Sequence, residues 1–174
     1  DILNFEQLEL YVKAVAPDVI FHIAGQPITT LAIKEPLDTF RANIMGTANV
    51  LESLRRLDKK CILVCITSDK SYNNKEWVWG YKETDQIGGK DPYSASKAGA
   101  EMVINSYFET YFKDSVFNKR IVSVRAGNII GGGDWAINRI VPDCIRAWHE
   151  HKQVIIRSPK AIRPWQHVIE PIYG

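Results

Sequence analysis

Three short β-branched runs, spaced widely and separated by stretches of helical periodicity, limit this chain to one class of fold. The runs are Val19-Ile20-Phe21-His22-Ile23, Cys61 to Thr67 and Ile121 to Arg125. The first is continuously apolar, the pattern of a strand buried on both faces of a parallel sheet; the second reads as the next buried strand and the third as another strand. Between them, residues 6–16 set Leu8, Val12 and Val15 at helical spacing until Pro17-Asp18 stops them. Pro36 opens a long helix to about Leu57, with Leu37, Phe40, Ile44, Leu51 and Leu54 on one face. Asp91-Pro92 supplies an N-cap and a first-turn proline for a helix running to about Phe112. A Gly-rich loop at 127–133, a helix over about 138–151 and a strand at Val154-Ile155-Ile156 follow. Strands alternating with helices predict βαβ units and an α/β fold with a doubly wound parallel sheet.

Composition narrows the function classes. Of 174 residues, 45% are apolar and 24% charged, a balance that excludes a disordered or low-complexity chain. The net charge is +2 with no basic block, which gives no support to a nucleic-acid or anionic-membrane partner. No apolar stretch is long enough to span a bilayer, and no signal-peptide pattern is present. Cys61, Cys65 and Cys144 are too few and scattered for a disulfide framework; Cys61 and Cys65 lie inside an apolar run, so buried free thiols rather than a metal site, and a cytoplasmic, reducing location, are expected. The chain begins at Asp1 and stops at Ile172-Tyr173-Gly174, straight after a strand-like run, and reads as an internal piece of a longer protein.

Ligands of parallel sheets sit beyond the carboxyl ends of the strands. The polar residues concentrate there: Gly25-Gln26 after the first run, Thr67-Ser68-Asp69-Lys70 after the second, Asn128 after the third. The long polar and aromatic connection over 68–91 is of a length that usually carries function. Tyr93 and Lys97, at i and i+4, project from one face of a helix. A phenol is a poor base at neutral pH, but a neighbouring ammonium favours the phenolate, so the pair can take a proton from an alcohol. A surface Tyr and Lys on an amphipathic helix is the plainer alternative for so short a pattern. The helix start just before it and the strand-end clusters favour chemistry.

Tyr93-x-x-x-Lys97 within Asp-Pro-Tyr-Ser-Ala-Ser-Lys resembles the catalytic helix of the extended short-chain dehydrogenase/reductase family, the NAD-dependent epimerases and dehydratases. Phe21-His22-Ile23-Ala24-Gly25-Gln26 is similar to that family's strand lining the dinucleotide, Asn43-Ile-Met-Gly-Thr-Ala-Asn49 to its next helix, and Arg125-Ala-Gly-Asn128 to its substrate-side strand end. The matches occur in family order across nearly the whole chain. Thr67-Ser68-Asp69-Lys70-Ser71-Tyr72, Glu76-Trp77-Val78-Trp79-Gly80-Tyr81, Gly131-Gly-Gly-Asp-Trp135 and Arg163-Pro-Trp-Gln-His167 resemble, more narrowly, the family's 4,6-dehydratases that act on CDP-glucose. The dTDP-glucose and GDP-mannose dehydratases usually carry Glu where Lys70 stands.

The resemblance implies a Rossmann-like sheet lacking its first βαβ unit and the end of the substrate domain. It divides the chain into a partial dinucleotide-binding domain with the catalytic helix, 1–130, and the start of a sugar-nucleotide-binding part, 131–174. It implies NAD as cofactor, CDP-glucose as small-molecule partner, and a homo-oligomer in the full-length protein. Tyr93, Lys97, Ser68, Asp69 and Lys70 would be catalytic; Asp1, Ile2, Ala24, Gly25, Gln26 and Asn43, with Tyr93 and Lys97, would line the cofactor; Asn128 and Arg163 would receive the substrate diphosphate. Asp69 and Lys70 could serve as acid and base if the site held the Asp protonated and the Lys neutral. A plain surface ion pair, a loop arginine at 163, a strand cap at 128 and packing roles for Gln26 and Asn43 are the competing readings. His22 reads as a satisfied core histidine, His149 and His151 as solvent-facing, and Gly131-Gly132-Gly133 as a close approach to substrate rather than a phosphate loop. Gly25 stands for the usual Ala and Ala42 for the usual Thr, both small changes, and the dinucleotide fingerprint Gly-x-x-Gly-x-x-Gly is absent, its family position being upstream of Asp1. Another sugar-nucleotide dehydratase or a 4-epimerase of the same family, and a non-catalytic dinucleotide-binding regulator, are the alternatives.

Overall fold

A computed structural model describes residues 1–114 and 119–174, which form two compact units, Asp1–Arg125 and Ala126–Gly174. The first unit is organised by a three-stranded parallel sheet of β1 (Val19–His22), β2 (Ile62–Ile66) and β3 (Arg120–Val124), in that order. Helix α1 (Phe5–Val15) starts where Asn4 accepts a bond from the Gln7 N–H at 3.1 Å, and ends at Ala16 in the left-handed region with φ 45°. Helices α2 (Thr29–Lys34), α3 (Pro36–Phe40) and α4 (Gly46–Arg55) connect β1 to β2. The long helix that Pro36 opens therefore changes pitch midway, because Arg41–Met45 forms a π turn between α3 and α4. Helix α5 (Pro92–Tyr107) connects β2 to β3 and passes into a second π turn, Phe108–Phe112.

The core lies on one face of the sheet. Leu51, Leu54, Cys61 and Leu63 are fully buried and, with Val12, Val50, Cys65, Ile104 and Phe112, form one apolar cluster contributed by α1, α4, α5 and the strands. Cys65 is inert there, burial pushing its thiol up to about 12. The other face differs from expectation. Phe21, Val64 and Val122 stand side by side in register, yet Phe21 is 66% and Val122 47% exposed. Pleating sends these residues away from the helices, so among the described residues the apolar strands are covered on one face rather than two.

The second unit pairs β4 (Asn128–Ile130) with β5 (Trp165–His167) in parallel, with α6 (Ile140–His149) between them and α7 (Ile169–Tyr173) after. The expected strand at 154–156 does not form, and Ile155 is 85% exposed. β-Branched residues favour a ladder only where a neighbouring strand supplies its other half. The Gly-rich stretch instead contains β4, because its glycines admit the facing segment. A Cβ on Gly127 would lie 2.8 Å from Pro164 Cγ, and one on Gly131 would lie 2.9 Å from Val168 Cγ1. Gly131 thus serves packing, where the sequence suggested approach to a ligand. Among the described residues no helix is long and apolar enough to cross a membrane.

Candidate active site

The parallel register places the carboxyl ends of β1, β2 and β3 at one edge, where the chain leaves as Ile23-Ala24-Gly25-Gln26, as Thr67-Ser68-Asp69 and as Arg125. Helix α5 packs against the π turn of residues 41–45 and against a short 3-10 helix, Asp69–Ser71, that follows β2.

Local chemistry fixes where α5 begins. Asp91 Oδ1 accepts from the Tyr93 and Ser94 N–H groups at 3.0 and 3.1 Å, its Oδ2 accepts from Ser94 Oγ at 2.6 Å, and Pro92 takes the first helical position. Gly89 lies directly on this turn, where a Cβ would stand 2.2 Å from Ala95 N. Only a residue without a side chain lets the long loop come down so close. Tyr93 and Lys97 then follow one turn apart, both half-buried.

Lys97 reaches the β1 edge. A Cβ built on Gly25 would lie 3.7 Å from Lys97 Nζ and 2.8 Å from Asn43 Oδ1. An alanine at 25 would therefore push Asn43 aside, so this small change from the family pattern is felt locally. Burial lowers the Lys97 ammonium below the ordinary lysine range.

Neutral groups bind these pieces together. Asn43 sits in the π turn, an irregularity that recurs at functional sites. Its Oδ1 accepts from the Gln26 N–H at 2.7 Å, and its Nδ2 donates to Gln26 O at 3.1 Å and to Ser96 Oγ at 2.8 Å. Ser96 Oγ donates to Tyr93 O at 2.7 Å, and Gln26 Nε2 donates to Thr39 Oγ1 at 2.9 Å. Thr47 Oγ1 donates to Asn43 O at 2.6 Å, so its single proton is committed, and His22 Nε2, 2.9 Å away, must be the protonated ring nitrogen. Burial, and then the Lys97 charge, lower His22 to about 4. His22 is a neutral, bonded core residue.

The turn after β2 is equally constrained. Ser68 is buried; its Oγ donates to Asp69 Oδ1 at 3.1 Å and accepts from the Lys70 N–H at 3.2 Å. Thr67 Oγ1 donates to Glu101 Oε1 at 2.7 Å, and Glu101 forms a forked pair with Arg125 at the end of β3. That carboxylate holds the Arg125 guanidinium above its ordinary range. The guanidinium also covers the Tyr72 ring at 4.6 Å and donates to Glu83 O at 3.2 Å. Tyr72 stacks on Tyr81 at 4.9 Å and Tyr81 meets Trp77 at 5.1 Å, so the aromatic run folds the 68–91 loop on itself and leaves Trp79 exposed.

The structure thus brings Gly25, Gln26, Asn43, Tyr93 and Lys97 into one bonded neighbourhood, with the Ser68-Asp69-Lys70 turn against the same helix. Ala24 is exposed at the β1 edge. Ile2 is tied to α4 by Asn49 Nδ2, which donates to its carbonyl at 2.9 Å, and by contact with Gly46, while the Asp1 carboxylate accepts from the Leu3 N–H at 2.9 Å. Asn128 and Arg163 belong to the second unit, where Asn128 opens β4 and Arg163 is exposed and donates to Ile162 O at 2.8 Å. Neither Ser96 nor Glu101 stands out in the sequence, and Thr67 does so only as the first of the polar residues after the second run. A lone acid one turn after Lys97, in a helix of small and apolar residues, was the available signal for Glu101.

The sequence profile of the GDP-mannose 4,6 dehydratase family matches residues 1–173. The CDP-glucose 4,6-dehydratase of Salmonella typhimurium is 45% identical over 177 residues, covering 100% of this chain and 49% of that protein. The dTDP-D-glucose 4,6-dehydratase of Dictyostelium discoideum is 28% identical over 167 residues, 91% of this chain and 37% of that protein. Among solved structures, the UDP-glucuronic acid 4-epimerase of Bacillus cereus in complex with UDP-glucuronic acid and NAD superposes with a TM-score of 0.84 at 21% identity, over 99% of this chain and 51% of that one. A dTDP-glucose 4,6-dehydratase of Streptomyces venezuelae with NAD bound gives 0.84 at 20% identity, over 96% and 49%. These likenesses establish a Rossmann-like α/β fold. The chain spans about half the length of the curated relatives it matches.

Proposed function

Because the chain belongs to the GDP-mannose 4,6 dehydratase family, we propose that its protein dehydrates CDP-D-glucose to CDP-4-keto-6-deoxy-D-glucose, with NAD as the resident cofactor. The observation that carries the reading is the convergence on α5. Lys97 Nζ lies against the β1 edge, Tyr93 one turn before it, and the Ser68-Asp69-Lys70 turn packs on the same helix. The 45% identity to the Salmonella CDP-glucose enzyme over the whole chain supports the choice of substrate.

The residues at the β1 edge suit a dinucleotide. Ala24 and Gly25 offer exposed backbone with at most a methyl group, and Lys97 sets a cation beside it. Asn43 and Gln26 brace that turn, and Ile2 is fixed at the start of α4. A nicotinamide bound there would supply a hydride acceptor for C4 that returns the hydride at C6.

The chain's own groups have separable tasks. Tyr93 takes the proton of the C4 hydroxyl, with Lys97 favouring the phenolate. Ser68 hydrogen-bonds the same hydroxyl. Once C4 is a ketone, the C5 proton is acidic; Lys70 removes it, and Asp69 protonates the departing C6 hydroxyl. Asn128 and Arg163 receive the diphosphate, for which a guanidinium's forked donors are suited. In this reading residues 1–130 carry the cofactor and the catalytic helix, and 131–174 begin the sugar-nucleotide part.

The test is product formation by the full-length protein with CDP-, dTDP-, UDP- and GDP-linked sugars, followed as the 4-keto product. Preference for cytidine supports the assignment. A 4-epimer product without water loss would replace it with an epimerase, which has no use for Asp69 and Lys70.

A further inference from the structure

One carboxylate joins three of the elements that build the site. Glu101 lies on α5 one turn beyond Lys97 and two beyond Tyr93, on the same side of the helix. It is only 5% exposed, and acids are rarely buried unless paired. Its Oε1 accepts from Thr67 Oγ1 and from Arg125 Nε, both at 2.7 Å, and its Oε2 accepts from Arg125 Nε at 2.9 Å and from Nη2. Thr67 immediately precedes Ser68, whose backbone is extended at φ −166° and ψ 153°. Neighbouring side chains on extended backbone point to opposite sides, so anchoring Thr67 on α5 fixes the direction in which Ser68 leaves. The Ser68 hydroxyl in turn bonds Asp69 and the Lys70 N–H.

We propose that Glu101 is a positioning residue for this site: through Thr67 it sets the Ser68-Asp69-Lys70 turn in register with Tyr93 and Lys97, and through Arg125 it locks the end of β3 and the 68–91 loop to the same helix. It acts on the placement of the reacting groups, not on the reacting atoms. Arg125 extends the hold outward, since it also bonds Glu83 O and covers Tyr72.

The inference rests on the dehydratase reading above, so wild-type full-length protein is assayed beside each variant. Glu101→Gln keeps the shape and an acceptor for Thr67 but leaves Arg125 without its counter-charge. Thr67→Val removes the hydroxyl at nearly constant shape, and Thr67→Ser restores it. With all proteins held well below their unfolding midpoints, kcat for CDP-glucose is expected to fall on the order of 10²-fold in Glu101→Gln and roughly tenfold in Thr67→Val, with KM within about threefold of wild type, because small misplacements act on the transition state. Thr67→Ser should keep near-normal kcat, which a merely space-filling role for Thr67 does not require. If Glu101→Gln does not fold, the two Thr67 variants carry the test. Normal kcat in folded Thr67→Val, or a loss confined to KM, overturns the positioning role while leaving the dehydratase reading intact. A wild type that yields no 4-keto sugar overturns both.

Discussion

Helix α5 is held by two polar seams made of opposite materials. At its first turns, Ser96, Asn43, Gln26, Thr39, Thr47 and His22 form a chain of amides, hydroxyls and a neutral imidazole. A turn further on, Glu101 and Arg125 meet as full charges, with Thr67 as the neutral third member. The neutral seam distributes its hold over many bonds, each worth roughly 1 kcal/mol net. The charged seam concentrates its hold in one ion pair, around which Thr67, Glu83 O and the Tyr72 ring make the weaker contacts. The difference teaches how each should fail. A neutral seam degrades by increments, whereas a buried ion pair fails when one charge loses the other.

The sharpest way to break this contrast is to split the pair. Glu101→Leu strands the Arg125 guanidinium and should lower the unfolding free energy by about 3–5 kcal/mol, while Glu101→Leu with Arg125→Met should recover most of it. Urea unfolding of single and double variants reads this directly; a double variant no more stable than the single would show that the pair behaves like the neutral seam.

The next test uses pH. Burial and Lys97 hold folded His22 at about 4, against an ordinary value of 6.5. Between those values the unfolded chain binds a proton that the folded chain refuses, so stability falls as pH drops from 6.5 toward 4. The drop amounts to as much as about 3 kcal/mol. Unfolding midpoints measured across that window should decline in the wild type and flatten in His22→Gln; equal slopes would show that His22 does not titrate against the seam.

A smaller effect is expected within the neutral seam itself. Asn43→Ala takes the partner from the Gln26 N–H and carbonyl, while Ser96 Oγ keeps its bond to Tyr93 O, at about 1–3 kcal/mol. A loss as large as that of Glu101→Leu would erase the distinction. The smallest effect belongs to Ser71, a fully buried hydroxyl with no hydrogen-bond partner among the described residues. Ser71→Ala removes an unmet donor and should leave the melting temperature unchanged or raise it, by under about 1 kcal/mol in stability. A clear fall would place Ser71 in a seam after all.

What the sequence disclosed and what it hid follow from distance along the chain. The start of α5 at Asp91-Pro92 and the Tyr93–Lys97 pair are written within a few residues, and the structure has them where the spacing puts them. The π turn at residues 41–45 left no mark, since Asn43 acquires its partners at positions 26 and 96 only on folding. Glu101 and Arg125 lie 24 residues apart and read separately as a helix acid and a strand-end base. Strand pairing was the least legible. Val154-Ile155-Ile156 has the composition of a strand and no ladder, whereas Trp165–His167 lacks the pattern and pairs with β4. Residue types report what a segment tolerates, and only the neighbouring segment decides whether a ladder exists.

The seams also bear on time. Asn43 meets Ser96 across 53 residues and Thr67 meets Glu101 across 34. Side-chain bonds closing such long loops cannot align until the helix and the strand ends have docked, so they complete on the native side of the folding barrier. Their removal should leave the refolding rate nearly unchanged and speed unfolding instead. The neutral and charged seams therefore govern how long the strand-end edge lasts once assembled, and hardly at all how quickly it is made.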